Sequence, residues 1–141
     1  MDQNGVAKVV YDKHHLVPFG EYLPFEHWLD RIGLGFTSDL FGTGFAAGEG
    51  PKRINIAPLG AVVPLICYEA VFPQDVSFAS QEAAILLLLT NDAWFGPFAG
   101  PQQHLAQAKM RSIEQGLPMI RGANTGISAM IDPYARSLKQ M

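Results

Sequence analysis

One cysteine, Cys67, is the whole thiol content of this 141-residue chain. That excludes an internal disulfide framework and a multi-cysteine metal site, and it leaves the redox compartment undecided. Charge is scarce as well. Only 16% of the residues are charged, below the usual quarter, and the net charge is −3. No basic excess is available to hold a phosphate backbone, so no nucleic-acid partner is expected. Long apolar runs are also missing. The longest, Ala83 to Leu89, is far below the roughly 20 residues that span a bilayer. The N-terminus, Met-Asp-Gln-Asn-Gly, lacks the apolar stretch of a secretory signal. The chain is expected to be soluble by itself, or to be a soluble part of something larger.

What is present fits a globular α/β chain. Apolar residues reach 48%, with 14 glycines and 10 prolines, so a real core can form and turns are frequent. Val6 to Tyr11 is short and β-branched, which predicts a strand. Asp12 to Pro24 holds two prolines and a glycine and predicts an ordered loop. Phe25 to Ile32 predicts one or two helical turns. Gly33 to Gly50 has six glycines interleaved with Phe36, Phe41 and Phe45, the composition of a long loop. Arg53 to Ala57 is expected to pair with Ala61 to Ile66 across Pro58-Leu59-Gly60. Ala83 to Thr90 reads as a central strand covered on both faces. Gln102 to Gln115 is the clearest helix, with Leu105, Ala108, Met110 and Ile113 as its apolar side and Gly116 as its stop. Leu117 to Ile120 and Ile127 to Ile131 predict two more strands, and Asp132-Pro133 a turn. Strand and helix alternate, which implies an α/β fold.

The chemistry gathers around Ala61 to Glu69, Ala-Val-Val-Pro-Leu-Ile-Cys-Tyr-Glu. An apolar strand ends at Cys67, on a turn expected to lead into a helix. An α/β fold presents a nucleophile at such a place, because the side chain leaves the packed sheet there. The alternative is a buried core thiol. A cysteine attacks as the thiolate and needs a base or cation nearby. When it adds to a carbonyl, the oxygen turns negative, and losing one donor to that oxygen costs about 3 kcal/mol. Lys13 and the Tyr68 backbone N–H are candidates to meet that charge. Glu21 is a candidate to hold the lysine or relay protons. Each has a plainer reading: Lys13 as a solvated side chain, Glu21 and Glu69 as surface or pairing carboxylates, Trp94 and Phe95 as packing. His14 and His15 are adjacent and have no ligand partner at usual spacing, so no metal is expected.

These residues carry a resemblance. Tyr11-Asp-Lys-His-His-Leu-Val-Pro-Phe-Gly-Glu-Tyr-Leu-Pro24 resembles the lysine motif of the nitrilase (carbon-nitrogen hydrolase) superfamily, and Ile66-Cys-Tyr-Glu69 resembles its nucleophile motif. Within that superfamily the chain is most similar to the apolipoprotein N-acyltransferase family. Asn91-Asp-Ala-Trp-Phe-Gly96, Gln103-His104, Met110-Arg111 through Glu114, and Asn124-Thr-Gly126 through Asp132-Pro-Tyr134 follow that family in order and spacing. The resemblance implies part of a four-layer α-β-β-α sandwich. It makes Cys67 the nucleophile, Lys13 the stabiliser of tetrahedral intermediates, Glu21 a supporting carboxylate, Tyr68 and Glu69 the required neighbours of the nucleophile, and Trp94 a residue near the acyl-chain entrance. It implies no cofactor and no metal. The implied partners are a phospholipid acyl donor and an apolipoprotein acceptor, at the bacterial inner membrane on its periplasmic side.

Three departures belong with the resemblance. The family's general-base glutamate lies well upstream of the lysine motif, and only twelve residues precede Lys13 here. The family's membrane helices have no counterpart in this sequence. Residues 1–141 are therefore expected to be the C-terminal portion of the catalytic domain, without its N-terminal half. A truncated sandwich would leave apolar sheet exposed and favour self-association. The third departure is Ala135, where the family usually has glycine. Two other readings stand beside the acyltransferase: a soluble amidase or carbamoylase of the same superfamily, and a non-catalytic remnant.

Overall fold

The computed structural model describes residues 5–7, 9–25, 31, 44–96 and 98–141. The chain divides into two compact units, one made of Met1–Tyr11 with Pro51–Met141, the other of Asp12–Gly50.

The larger unit is built on a six-stranded sheet in sequential order. The strands are β1 (Ile54–Ile56), β2 (Gly60–Ile66), β3 (Ile85–Thr90), β4 (Met119–Ala123), β5 (Ala129–Ile131) and β6 (Ser137–Gln140). β1 and β2 form the expected hairpin, with Ile54 opposite Val62 and Ile56 opposite Gly60. Gly60 sits at φ 81°, a conformation that suits glycine at this tight return. β2, β3 and β4 run parallel, and β4, β5 and β6 run antiparallel. Parallel neighbours need crossovers. The first holds a 3-10 turn (Cys67–Val71) and helix α1 (Pro73–Ala79), which starts with proline at its first position. The second holds a 3-10 turn (Asp92–Phe95) and helix α2 (Gly100–Gln115), which Gly116 ends in the left-handed conformation at φ 63°.

The two helices pack on the same face of the sheet. Val63, Leu65, Leu86, Leu88, Met119, Ala129 and Ile131 meet Val76, Ala79, Leu105 and Ala108 there. Alternate residues of β2, β3 and β5, with Met119 of β4, feed this core, as the two-residue period requires. The other face corrects an expectation. β3 is not sealed on both sides within the described residues, for Leu89 is 54% exposed, and on β5 Met130 is 49% exposed. Both crossovers return on one side, so their helices cover only one face.

Two further expectations change, and a third feature was not anticipated. The described residues of Val6–Tyr11 form no strand, and Val6, Val9 and Val10 are exposed. β-branched composition suits a pleated surface but does not supply a partner strand. In α2, Met110 and Ile113 face outward, while His104, Leu105, Ala108, Arg111 and Ser112 are buried. The buried stripe is thus rotated towards polar residues that have partners inside. β6 is the third. Its sequence is polar and it forms an edge by pairing with β5, which a search for apolar runs passes over. The turn that joins them is held by Asp132, whose Oδ1 accepts from the Tyr134 and Arg136 backbone N–H groups, each at 2.9 Å. Ala135 closes this turn at φ 62°.

In the smaller unit, Asp12 to Pro24 is an ordered loop as expected. Gly20 and Glu21 donate backbone N–H bonds to the Val17 carbonyl, and Pro18 bridges Tyr22. The expected helical turns of Phe25 to Ile32 and the first part of the glycine-rich stretch fall mostly outside the described residues. From Gly44 to Gly50 the chain is irregular. No helix among the described residues is long and apolar enough to cross a membrane.

Candidate active site

β2 ends where Cys67 begins. Cys67 sits at φ 51°, in the left-handed region that side chains other than glycine rarely adopt, so the strand cannot continue through it. The chain turns at once into the 3-10 turn, and the thiol stays partly exposed. Strain of this kind costs on the order of 1 kcal/mol and collects at functional sites.

Glu69 secures the turn. It is completely buried, and its Oε2 accepts the Ile66 backbone N–H at 2.7 Å. This reach from the third residue of the turn to the residue before it is one half of a capping box. The same oxygen accepts the Tyr11 hydroxyl at 3.0 Å. Burial first, and then the charge of Glu69, push the Tyr11 phenol well above its ordinary range. Tyr68, the next residue in the chain, packs edge-on against Phe72, with ring centroids 5.1 Å apart. Arg111 of α2 donates to the Val71 carbonyl and to Glu114, which ties the helix to the end of the turn.

Register lines up the ends of the three parallel strands. Ile66 lies opposite Leu89, and Leu89 opposite Gly122. The segments after β2, β3 and β4 therefore leave the sheet at one level, the side where open α/β sheets place their sites. A buried charge network underlies the segment after β3. Asp92 Oδ2 pairs with Arg121 Nη2 at 2.7 Å, and Asp92 Oδ1 lies 2.8 Å from His104 Nδ1. Thr90 Oγ1 donates to Asp92 Oδ1 at 3.1 Å, and Arg121 Nη1 donates to the Ile127 carbonyl. Burial would raise the Asp92 carboxyl, but hydrogen bonds from Arg121 and His104 outweigh it and hold it below the usual carboxylate range. Gly126 packs on this network, where an added Cβ would lie 2.4 Å from Asp92 Oδ2. Above it, Asn91 Oδ1 accepts from the Ala93 N–H and the Thr125 hydroxyl, and Trp94 stands 77% exposed on the turn so fixed.

In the unit Asp12–Gly50, Lys13 Nζ lies 2.6 Å from both carboxylate oxygens of Glu21. Glu21 Oε2 also accepts the Val17 N–H at 2.8 Å. Backbone bonds hold both residues: the Lys13 carbonyl accepts from Gly48 and the Glu21 carbonyl from Phe45. Gly48 approaches closely, since a Cβ there would lie 2.3 Å from the Asp12 carbonyl oxygen.

The structure thus brings Cys67, Tyr68 and Glu69 together on one turn and Lys13 with Glu21 in one ion pair. Lys13 is not a solvated side chain, being 11% exposed, and Glu69 is not on the surface. Trp94 is not core packing. The chemical reading of the sequence missed the Asp92–His104–Arg121 network and Tyr11. One signal for the network was available: Arg121 interrupts the apolar run Leu117 to Ile120, and a charge there needs a buried partner.

The sequence model of the carbon-nitrogen hydrolase family matches residues 1–141. The chain belongs to the carbon-nitrogen hydrolase family. Its curated relatives within that family include an apolipoprotein N-acyltransferase of Rhodopseudomonas palustris, 45% identical over the whole chain, and one of Brucella melitensis, 46% identical over 136 residues. The chain spans about a quarter of those proteins, 26% and 25% of their lengths. Among solved structures, a carbon-nitrogen hydrolase superfamily protein of Xanthomonas campestris is similar over 93% of this chain and 47% of its own, with a TM-score of 0.63 and 19% identity. An amidase of Nesterenkonia is similar over 70% of this chain and 40% of its own, with a TM-score of 0.56 and 22% identity. At such identities the two structures speak for the carbon-nitrogen hydrolase fold alone.

Proposed function

We propose that this chain is the C-terminal portion of the catalytic domain of an apolipoprotein N-acyltransferase. One observation carries the reading: the cysteine that the family resemblance marks as nucleophile opens a strained turn at a strand end, in a chain 45% identical along its whole length to proteins of that name. Cys67 thiolate attacks the ester carbonyl of a phospholipid, forming a C–S bond and a tetrahedral oxyanion. The C–O bond then breaks, and the departing alkoxide takes up a proton. The free α-amino group of an apolipoprotein N-terminal cysteine attacks the resulting thioester. A C–N bond forms, the C–S bond breaks and the amine gives up its proton. Lys13, held by Glu21, meets the oxyanion charge with the Tyr68 N–H. Tyr68 and Glu69 keep the nucleophile turn in shape, and Trp94 borders the acyl chain. No residue of this chain is assigned the general-base role, so the 141-residue chain by itself is expected to turn over slowly.

The setting follows from the same reading: the periplasmic side of a bacterial inner membrane, with phospholipid as donor and apolipoprotein as acceptor. The partly exposed apolar sheet face at Leu87, Leu89 and Met130 supports self-association of the isolated chain. Intact-mass analysis after incubation with phospholipid micelles tests the function. The expected result is a fatty-acyl adduct on Cys67, cleaved by hydroxylamine, absent in Cys67→Ala and much reduced in Lys13→Ala. Hydrolysis of small amides with no acyl adduct would favour an amidase instead.

A further inference from the structure

We propose that Tyr11 is a positioning residue for the Cys67 turn, acting through Glu69 on the backbone that receives the oxyanion. This rests on the reading of Cys67 as the nucleophile. Two hydrogen bonds meet at one atom beside a strained residue. Glu69 Oε2 accepts the Tyr11 hydroxyl at 3.0 Å and the Ile66 N–H at 2.7 Å, and the residue after Ile66 is Cys67 at φ 51°. The carboxylate is completely buried, so its orientation is set by protein donors and not by bulk water. A carboxylate with two donors on one oxygen is fixed in rotation, and a fixed Glu69 fixes the start of the turn.

The turn determines where the Tyr68 N–H points. In a strand-to-turn nucleophile, the N–H of the following residue is the donor that meets the developing oxyanion. Removing the Tyr11 hydroxyl therefore acts on attack at a carbonyl. It does not act on reactions of the same sulfur that develop no oxyanion. Among the described residues, charged groups near this pair include Lys52, whose Nζ lies 6.0 Å from the Tyr11 ring centroid, and Asp75, whose charge acts on the phenol.

Two reagents on the same sulfur separate the effects. p-Nitrophenyl acetate acylates Cys67 through a tetrahedral oxyanion and releases p-nitrophenolate in a burst. Iodoacetamide alkylates it by direct displacement of iodide, with no oxyanion. In Tyr11→Phe the burst rate is expected to fall about tenfold to a hundredfold, the upper figure being the cost of a 1 Å misplacement of a reacting group. The alkylation rate is expected to stay within about twofold, because the thiol itself is untouched. Tyr11→Gln, which keeps a donor on a shorter arm, is expected to recover part of the burst. Equal burst rates in Tyr11→Phe and the native chain overturn the inference. So does a parallel loss of both reactions, or a series in which Phe and Gln variants all fail to fold, since either outcome makes Tyr11 a general support of the sheet. A native chain that shows no burst at Cys67 sinks the acyltransferase reading instead.

Discussion

Arg121 Nη2 lies 2.7 Å from Asp92 Oδ2, and both side chains are sealed from solvent. His104 Nδ1 closes on the other carboxylate oxygen at 2.8 Å. Three segments far apart in sequence are joined in this way: the turn after β3, helix α2 and strand β4. Removing one partner strands a buried charge. Arg121→Met is expected to lose about 3–5 kcal/mol of unfolding free energy, measured by urea denaturation. The double variant Arg121→Met with Asp92→Leu is expected to recover much of that loss, because no charge is then left unpaired.

The same pair sets an acid limit. The Asp92 carboxyl is held below its ordinary value in the folded chain, so the unfolded chain binds its proton first as pH falls. Its contribution is complete above the ordinary carboxylate range and is lost as pH drops through the folded value. Asp132 is held down in the same direction: burial opposes, but the Arg136 and Tyr134 N–H groups and the Arg136 guanidinium prevail. Melting temperatures are expected to fall steeply below about pH 4, and Arg121→Met is expected to flatten that slope.

Tyr11 sets a limit at the other end. Its folded phenol is raised, so the folded chain keeps the proton when the unfolded chain has released it. Stability from this group is full below about pH 10 and declines as pH rises beyond it. Thermal melts between pH 9 and 11 are expected to show this decline in the native chain and a shallower one in Tyr11→Phe, as rough bounds on the window.

Ala135 occupies the left-handed conformation at φ 62° in the turn between β5 and β6. A Cβ is unfavourable there, and glycine escapes that penalty. Ala135→Gly is expected to stabilise the chain by about 1 kcal/mol, read as a raised urea midpoint with an unchanged slope. A lowered midpoint would mean that the loss of chain stiffness outweighs the relief of strain.

Much of the fold was legible because local chemistry and tertiary packing agree. Pro58-Leu59-Gly60 between two β-branched runs marks the β1–β2 hairpin, and Gly116 with Pro118 marks the end of α2. The turn at Cys67 was legible because a lone cysteine followed an apolar strand. Other features depend on information that no local window holds. The leucines of β3 look alike in sequence, yet Leu88 is buried and Leu89 exposed, because the helices return on one side only. Val6, Val9 and Val10 have strand composition without forming a strand. Tyr11 looks like the last residue of that run, and only the fold reveals its bond to Glu69, 58 residues away.

β4 reads Met119-Ile120-Arg121-Gly122-Ala123, and its apolar pattern alone would allow two alignments against β3. Shifted by one position, Ile120 would fill the space under the helices about as well as Met119 does. The guanidinium, however, would swing to the opposite side and leave the Asp92 carboxylate buried without its counter-ion. A charged residue thus acts as the locating pin of an otherwise ambiguous strand, and greasy contacts supply the glue while one ionic bond decides the fit.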